Sequence, residues 1–260
     1  MLLLYAPDIA MNLQLPETEA HHCLKVLRMK QGDAIRITDG KGNFYRAEIA
    51  ETDQQGIAGQ ARNDRMLARN DRILNRNDRT LNYCKVNLLE TIPQPSLRRG
   101  RIEIALAPTK NTDRMEWFAE KATEIGIDKI SFLRCRFSER KEISTERIRK
   151  IMISAMKQSE KAQLPALQEI TGFKEFIRQD FDGQKFIAHC YLEEKEFLAN
   201  VYRQNENVLI LIGPEGDFSE EEIESAKEQG FVPVSLGTSR LRTETAALAA
   251  CQTVHVIMNL

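Results

Sequence analysis

Short apolar runs alternate with longer amphipathic stretches along the second half of the chain. The runs are bounded by polar segments, which is typical of strands buried on both faces of a parallel sheet. The pattern therefore predicts an α/β domain built on a parallel sheet. The predicted strands are Ile102–Leu106, Ile130–Leu133, Phe186–Ala188, Val208–Ile212 and Val232–Leu236.

The stretches between these runs carry helix signals. Asp113 with Glu116, and Ser219 with Glu222, have the spacing of a capping box, in which each side chain binds the other residue's backbone amide. We predict that a helix begins at each pair. The last predicted helix, from Thr243 to Met258, is apolar almost all round, so we expect it to be buried in the core or against a second subunit.

Apolar and polar residues alternate near the start of the chain. Residues 34–38 and 44–49 alternate in this way on either side of a Gly-containing turn, which is typical of a β-hairpin. Residues 17–29 predict a short helix. Pro93 and Pro95 interrupt the chain before the α/β pattern begins.

These signals predict a β-rich domain over residues 1–95 and an α/β domain over residues 96–260. A repeat with a period of seven residues and the pattern Arg-Asn-Asp-Arg occupies residues 62–82. Its Asn-Asp pairs disfavour a helix interior, and its apolar content is low for a coiled coil. We interpret it as a tolerated insertion at about 60–82 rather than as an RNA-binding arm.

Composition is that of an ordinary globular protein, with 42% hydrophobic and 29% charged residues. The five cysteines are scattered singly, without the paired spacing of a zinc site, so we predict no metal. No apolar run has the length of a membrane span, and the apolar N-terminus is too short for a signal peptide. We therefore expect a cytoplasmic protein with no membrane partner.

A formal net charge of -1 excludes a globally basic nucleic-acid-binding protein. Basic residues nevertheless outnumber acidic ones in residues 62–101 and 134–161. Such segregation can create local basic surfaces, and a solvated face of mixed charge is the alternative interpretation.

Two predicted strands end in loops suited to a ligand. Val208–Ile212 runs into Gly213-Pro214-Glu215-Gly216, where glycine lets the backbone approach a ligand and proline fixes the loop. Val232–Leu236 runs into the polar loop 237–245. Since ligands bind at the carboxyl ends of strands in open α/β sheets, the two loops predict one cleft. Each loop alone is also compatible with a plain strand-to-helix turn.

These loops and several other motifs resemble the signature of the ribosomal RNA small subunit methyltransferase E family, the uracil-N3 methyltransferases of the SPOUT superfamily. The resemblance covers nearly the whole chain apart from the repeat. It is carried by Gly213-Pro214-Glu215-Gly216, Leu236-Gly237, Leu241-Arg242-Thr243-Glu244-Thr245-Ala246, His22, Val26-Leu27-Arg28-Met29-Lys30, Asp39-Gly40, Gly42, Lys110, Arg114-Met115, Lys121-Ala122-Thr123-Glu124-Ile125-Gly126 and Gln158-Ser159.

The resemblance implies an N-terminal PUA-like β-barrel that binds RNA and a C-terminal knotted (trefoil) SPOUT methyltransferase domain that works as a homodimer. The implied reaction is the methylation of uracil N3 in 16S ribosomal RNA within the small ribosomal subunit, with S-adenosylmethionine as cofactor and S-adenosylhomocysteine as product. Two sites depart from the family pattern. Asp217 stands where the family has a second glycine, and Glu160-Lys161-Ala162 replaces a stretch that contains Gly and Arg.

The strand-end loops, the basic stretches and the resemblance together predict which residues bind. The expected cofactor contacts are Leu211, Ile212, Gly213, Pro214, Glu215, Gly216, Leu236, Gly237, Leu241, Arg242, Thr243 and Thr245. The expected RNA contacts are His22, Arg28, Lys30, Arg134, Arg140 and Lys141.

The methyl group of a sulfonium cofactor is already activated, so the enzyme mainly needs to position the base in line and to help N3 ionise. A general base, or a cation that stabilises the developing negative charge, would assist. We consider Arg28, Arg140, Arg242 and Glu244, and predict that Arg140, Arg242 and Glu244 are catalytic. Glu244 could instead complement the helix dipole or bind a backbone amide, and Arg28 could be a surface charge.

Two other functions are compatible with the sequence. One is a SPOUT methyltransferase that acts on another RNA position, since the target rests on the resemblance alone. The other is a non-catalytic RNA-binding assembly factor that has lost the cofactor, although the intact loops at Gly213 and Leu241 argue against it.

Overall fold

The computed structural model describes residues 3–52, 83–95 and 99–260. These residues divide into two compact units. The first lies within Met1–Pro95 and also includes Glu160–Gln163, whereas the second comprises Ser96–Ser159 and Leu164–Leu260. The repeat at 62–82, and with it our interpretation of an insertion, lies outside the described residues.

The first unit is built on a four-stranded sheet in the order β1-β2-β3-β4. β1 pairs with β2 in parallel, and the other pairs are antiparallel, including the predicted hairpin, in which Thr38 faces Phe44. The turn between them is held by the Asp39 carboxylate, which accepts hydrogen bonds from the amides of Lys41 and Asn43. The strands are Leu3–Tyr5, Ala34–Thr38, Asn43–Thr52 and Cys84–Pro93.

Two short helices precede the hairpin, α1 at Ile9–Asn12 and α2 at Glu17–His21, and α2 continues as a π-helical turn at His22–Val26. The predicted helix over 17–29 therefore begins at the predicted residue and ends three residues early. Arg28 takes the left-handed conformation with φ +57°, which no helix can continue through.

The discontinuous segment of the first unit is fixed by its backbone. The carbonyl of Ala162 accepts from the amide of Gly42 at 3.0 Å and from the hydroxyl of Thr38 at 3.2 Å. Its amide donates to Oε1 of Gln94 at 3.1 Å. Glu160, one of the residues that depart from the family pattern, is left-handed with φ +50° and pairs with Arg36.

The second unit is built on a seven-stranded sheet in the order β7-β6-β5-β10-β8-β11-β9, and every pair in it is parallel. The predicted parallel sheet is therefore confirmed. Its strands are β5 Ile102–Leu106, β6 Lys129–Arg134, β7 Ala166–Gly172, β8 Gln184–Ala188, β9 Glu196–Phe197, β10 Val208–Ile212 and β11 Val232–Ser235.

Helices cover both faces of this sheet. The helices are α3 Thr112–Ile125, α4 Thr145–Gln158, α5 Phe173–Phe176, α6 Leu198–Val201, α7 Glu220–Glu228 and α8 Thr243–Met258. α3, α4, α6 and α8 share one hydrophobic core with residues such as Ile104 and Ile210. α5 and α7 share another with alternate residues such as Ala105 and Leu211. Because successive strand residues point to opposite faces, strands this apolar require both layers.

The two predicted capping boxes have different outcomes. The Ser219–Glu222 box is confirmed, with both reciprocal hydrogen bonds present at the start of α7. The predicted Asp113–Glu116 box is wrong. α3 begins earlier because the side chain of Asn111 accepts from the amide of Asp113 at 2.9 Å. Glu116 instead pairs with Arg147.

Helix α8 is buried along one side only. Ala247, Ala250 and Val254 lie in the core, whereas Val256 is 44% exposed. The predicted packing against a second subunit stays a prediction. None of the described helices is long and apolar enough to cross a membrane.

Candidate functional site

The carboxyl ends of β10, β8 and β11 lie side by side and open into a cavity of about 880 Å³. Three loops line it, one after each strand, together with Arg114 from the first turn of α3. Open α/β sheets bind their ligands here, in the crevice outside the carboxyl ends of the strands. A cavity of this volume, with a mixed polar and apolar lining, suits a small organic ligand.

The loop after β10 is held in place by hydrogen bonds and by close packing. The hydroxyl of Thr243, at the start of α8, donates to the carbonyl of Gly213 at 3.0 Å. The amide of Lys110 donates to Oε1 of Glu215 at 3.0 Å. A Cβ added at Gly213 would lie 3.1 Å from the amide nitrogen of Phe218, whose side chain is fully buried. The close packing explains why glycine stands at 213.

Asp217 shows how the chain accommodates its departure from the family pattern. Its backbone is left-handed, with φ +67°, a conformation that favours glycine and that Asp tolerates better than most residues. Its carboxylate accepts hydrogen bonds from the amides of Cys190 at 2.7 Å and Phe218 at 2.8 Å. Asp217 therefore keeps the backbone shape that glycine would supply and also joins the loop after β10 to the loop after β8.

The sequence did not reveal the loop after β8 as part of the site. The lining residues it supplies are His189, Cys190, Tyr191, Leu192, Glu193 and Lys195. The hydroxyl of Tyr191 donates to the carbonyl of Phe218 at 3.1 Å, and the ammonium of Lys195 donates to the carbonyl of Tyr191. A polar and aromatic segment directly after a predicted strand was the available signal.

His189 is the buried member of this loop, with a side chain that is 1% exposed. Burial, and then the charge of Lys195, lower its pKa below the ordinary value of 6.5. The carboxylate of Glu193, with Oε1 2.9 Å from Nε2, acts in the opposite direction but does not reverse this lowering of the pKa. The imidazole is therefore neutral near pH 7 and is available as a packing or hydrogen-bonding group rather than as a cation.

The structure brings most of the expected cofactor contacts together. Those that line the cavity are Ile212, Gly213, Pro214, Glu215, Leu236, Gly237, Leu241, Arg242 and Thr243. Three others do not line it. Leu211 is fully buried in the sheet, Gly216 lies against Phe137, and Thr245 is exposed on the first turn of α8.

The three predicted catalytic residues have different positions. Arg242 lines the cavity and is exposed. Glu244 is buried next to the cavity wall, with Oε1 3.7 Å from Nε of Arg114. Arg140 does not line the cavity, and its guanidinium donates to the backbone carbonyls of Thr109 and Lys110.

The expected RNA contacts fall in both units. His22, Arg28 and Lys30 belong to the first unit, and Arg28 and Lys30 are exposed. Arg134, Arg140 and Lys141 belong to the second, where Arg134 and Lys141 are exposed. Within the part of the chain that the structure describes, no group of three or more His, Cys, Asp or Glu side chains could hold a metal ion.

Comparison with known protein families gives two matches. Residues 96–255 match the model of an RNA methyltransferase domain, and residues 15–58 match that of an RNA methyltransferase PUA domain. The first match covers the second unit with its cavity. The N-terminal PUA-like domain expected from the sequence is thereby confirmed.

Individual relatives agree with these matches. The ribosomal RNA small subunit methyltransferase E of Rickettsia conorii is 26% identical, over 91% of this chain and 86% of its own. A Porphyromonas gingivalis structure described as a probable rRNA-methyltransferase is 41% identical, with a TM-score of 0.82 over 100% of this chain and 99% of that one. A Legionella pneumophila protein solved with the bound cofactor SAM is 26% identical, with a TM-score of 0.76 over 98% and 97% of the two chains. The chain therefore belongs to the RNA methyltransferase family, and its relatives named ribosomal RNA small subunit methyltransferase E agree with the resemblance of its sequence.

Proposed function

We propose that the protein methylates N3 of a uracil in 16S ribosomal RNA, with S-adenosylmethionine as the methyl donor and S-adenosylhomocysteine as the product. The observation that carries the proposal is the cavity at the ends of β10, β8 and β11, which lies in a domain matched by an RNA methyltransferase model. The names of the relatives support the ribosomal substrate, and the Legionella relative supports the cofactor.

The lining residues fit such a cofactor. A Cβ added at Gly237 would meet nothing within 4 Å, so the backbone there faces open space that a ligand can fill. Leu236 and Leu241 offer apolar walls for an adenine, and backbone groups at Gly213 and Gly237 can bind its polar edges. When bound, S-adenosylmethionine supplies an activated methyl group.

The residues of this chain then have two tasks. They hold the uracil in line with the donor, and they stabilise the charge that develops as N3 loses its proton. Arg242 at the rim of the cavity and Glu244 beside it remain our candidates within reach of this chemistry. We place Arg140 outside it and propose that this residue contacts RNA.

RNA binding is proposed to draw on His22, Arg28 and Lys30 of the PUA-like domain, and on Arg134, Arg140 and Lys141 of the methyltransferase domain. Phosphate neutralisation releases counterions, so affinity should fall steeply with salt. Removing Arg28 and Arg140 together should flatten the slope of log K against log salt by roughly 0.7 to 0.9 for each phosphate group that the variant no longer neutralises. An unchanged slope would reject the proposed role of these two arginines.

Three further features are proposed from the family. The methyltransferase domain is knotted, the protein forms a homodimer through α8, and it acts in the cytoplasm on the small ribosomal subunit. Val256, an apolar residue of α8 that is 44% exposed, supports the dimer. A protein that is monomeric by light scattering and fully active would refute the dimer.

The decisive experiment transfers labelled methyl groups from S-adenosylmethionine to small ribosomal subunits isolated from a strain that lacks the enzyme, followed by nucleoside analysis. We expect N3-methyluridine in the 16S RNA. Another methylated nucleoside would identify a methyltransferase with a different target. No transfer, together with no cofactor binding by calorimetry, would identify a non-catalytic RNA-binding factor.

A further inference from the structure

Arg114 and Glu244 form an ion pair at the wall of the cavity. Arg114 lies in the first turn of α3 and Glu244 in the first turn of α8, two helices that pack against each other. Nε of Arg114 is 3.7 Å from Oε1 of Glu244. The arginine side chain is 33% exposed and lines the cavity, whereas the glutamate side chain is only 8% exposed. The pair therefore runs from the protein interior into the site.

Glu244 does not act as a helix cap. No side-chain hydrogen bond caps the start of α8, and Oε2 of Glu244 has no hydrogen-bond partner among the described residues. A buried carboxylate with so few partners is costly, and the ion pair with Arg114 is its compensation. A buried ion pair of this kind contributes little to the stability of the fold. Its arginine, however, faces the cavity and can contact a ligand there.

The other cations that line the cavity are placed differently. Arg240 and Arg242 are exposed. Lys195 already donates to the carbonyl of Tyr191. Within the described residues, the guanidinium of Arg114 makes no hydrogen bond and has only the 3.7 Å contact with Glu244, so its N–H groups are open to a ligand. A half-buried guanidinium interacts more strongly with a developing charge than an exposed one, because solvent screens it less.

We propose that Arg114 is a catalytic residue whose guanidinium binds a carbonyl oxygen of the target uracil, and that Glu244 positions it. This inference rests on the proposed methylation of uracil N3. The N3–H bond breaks and its proton passes to water, the negative charge spreads onto the flanking carbonyl oxygens, and the N3 electron pair forms the bond to the methyl carbon. The carbon–sulfur bond breaks, and its electron pair stays on the sulfur of S-adenosylhomocysteine.

A second anionic oxygen in the reaction is the carboxylate of the methyl donor. Binding of this carboxylate is the alternative role for Arg114, and the affinity for the methyl donor separates the two roles in the test below. In the proposed role, the guanidinium N–H groups donate to a neutral uracil carbonyl, and these bonds strengthen as charge builds on the oxygen.

The test uses the full-length protein and small ribosomal subunits. Arg114→Ala should lower kcat by about 10²–10³-fold, as the loss of a donor to a developing oxyanion does. Its affinity for S-adenosylmethionine, measured by calorimetry, should stay within about twofold of wild type. Arg114→Lys, which keeps the charge but loses the planar fork, should be intermediate. Lys121→Ala is the matched control, because it removes a cation paired with a carboxylate on the same helix.

Two further readouts separate this role from a structural one. Glu244→Gln should lower kcat in the wild-type background and have no additional effect in the Arg114→Ala background, since it acts through Arg114. The second readout uses RNA that contains 5-fluorouridine, whose N3–H is more acidic than that of uridine. With this substrate the loss of kcat caused by Arg114→Ala should be smaller, because less charge stabilisation is required.

The proposal is overturned if Arg114→Ala retains kcat within twofold, if its lost activity is recovered by raising the S-adenosylmethionine concentration, or if the two substitutions act additively. Saturation by the methyl donor would identify Arg114 as a binder of the donor carboxylate. Failure of the proposed function would be seen separately, as a wild-type enzyme that makes no N3-methyluridine.

Discussion

The loops after β10 and β8 line the same cavity but are held in different ways. The loop after β10 is packed into the core, with the carbonyl of Gly213 bound to Thr243 and the ring of Phe218 fully buried beneath it. The loop after β8 is fastened to the first loop through the amide of Cys190 and the hydroxyl of Tyr191. Leu192 at its tip is wholly exposed.

This difference assigns the two loops different mechanical roles. A segment with buried neighbours opens only when much of the domain opens, whereas a segment held by a few surface hydrogen bonds can open locally. The loop after β10 is therefore the fixed wall of the cavity, and the loop after β8 is a side wall whose position depends on Asp217. Substitutions in the two loops should differ in both size and kind of effect.

The largest effect is expected for Gly213→Val. The added Cβ would lie 3.1 Å from the amide nitrogen and 3.2 Å from the ring of Phe218, so the fixed wall must shift. Overpacking of this kind costs about 1–3 kcal/mol and should weaken S-adenosylmethionine binding by a corresponding factor of about 5 to 150, as measured by calorimetry. Gly216→Ala, beside Phe137, serves as the control and should have a smaller effect on binding. Equal affinity for Gly213→Val and wild type would show that this wall is not part of the cofactor site.

An intermediate effect is expected for Asp217→Gly. Glycine keeps the left-handed backbone but removes the hydrogen bonds to Cys190 and Phe218. These hydrogen bonds are partly exposed to solvent and contribute about 1 kcal/mol each, part of which is offset by the relief of the strained φ. The amides of 189–195 should exchange with solvent faster, while those of β10 should not change. Asp217→Asn keeps an acceptor at this position, so its exchange rates should fall between those of wild type and Asp217→Gly. Equal exchange rates for residues 189–195 in all three proteins would contradict the proposal that Asp217 holds this loop in place.

The smallest effect concerns His189, where β8 meets its loop. Burial, and then Lys195, lower its pKa below 6.5 in the folded protein, so the unfolded chain takes up a proton that the folded one resists. The stabilisation is present above this ordinary value and is lost as the pH falls through and below it. Between pH 7.5 and 5.5 the Tm of wild type should fall further than that of His189→Gln. Parallel curves would show that His189 titrates as it does in the unfolded chain.

Most of the second unit could be predicted because its strands are apolar on both faces. β5 and β10 have the predicted bounds, since every residue in them is buried. β7 was missed because, at Ala166–Gly172, it mixes polar and apolar residues at the end of the sheet order, and β9 because it has only two residues. Hydrophobic periodicity depends on burial, so it does not detect a strand that is short or partly exposed.

The candidate site was predictable only in part, for a topological reason. The loops after β10 and β11 were visible because glycines follow apolar strands. The loop after β8 joins them because β8 lies between β10 and β11 in the sheet, and sequence periodicity does not report strand order. The ion pair of Arg114 with Glu244 was invisible for a similar reason, since it depends on α3 packing against α8.

The discontinuous first unit limits how the enzyme can be divided or recombined. Ala162 makes hydrogen bonds to Gly42, Thr38 and Gln94, although these residues are far from it along the chain. A truncation at residue 95 would strand Glu160–Gln163 in the other fragment, without these partners. An exchange of N-terminal units between relatives must therefore carry this four-residue segment as well. The N-terminal unit is thus encoded by two separate stretches of the gene rather than by one.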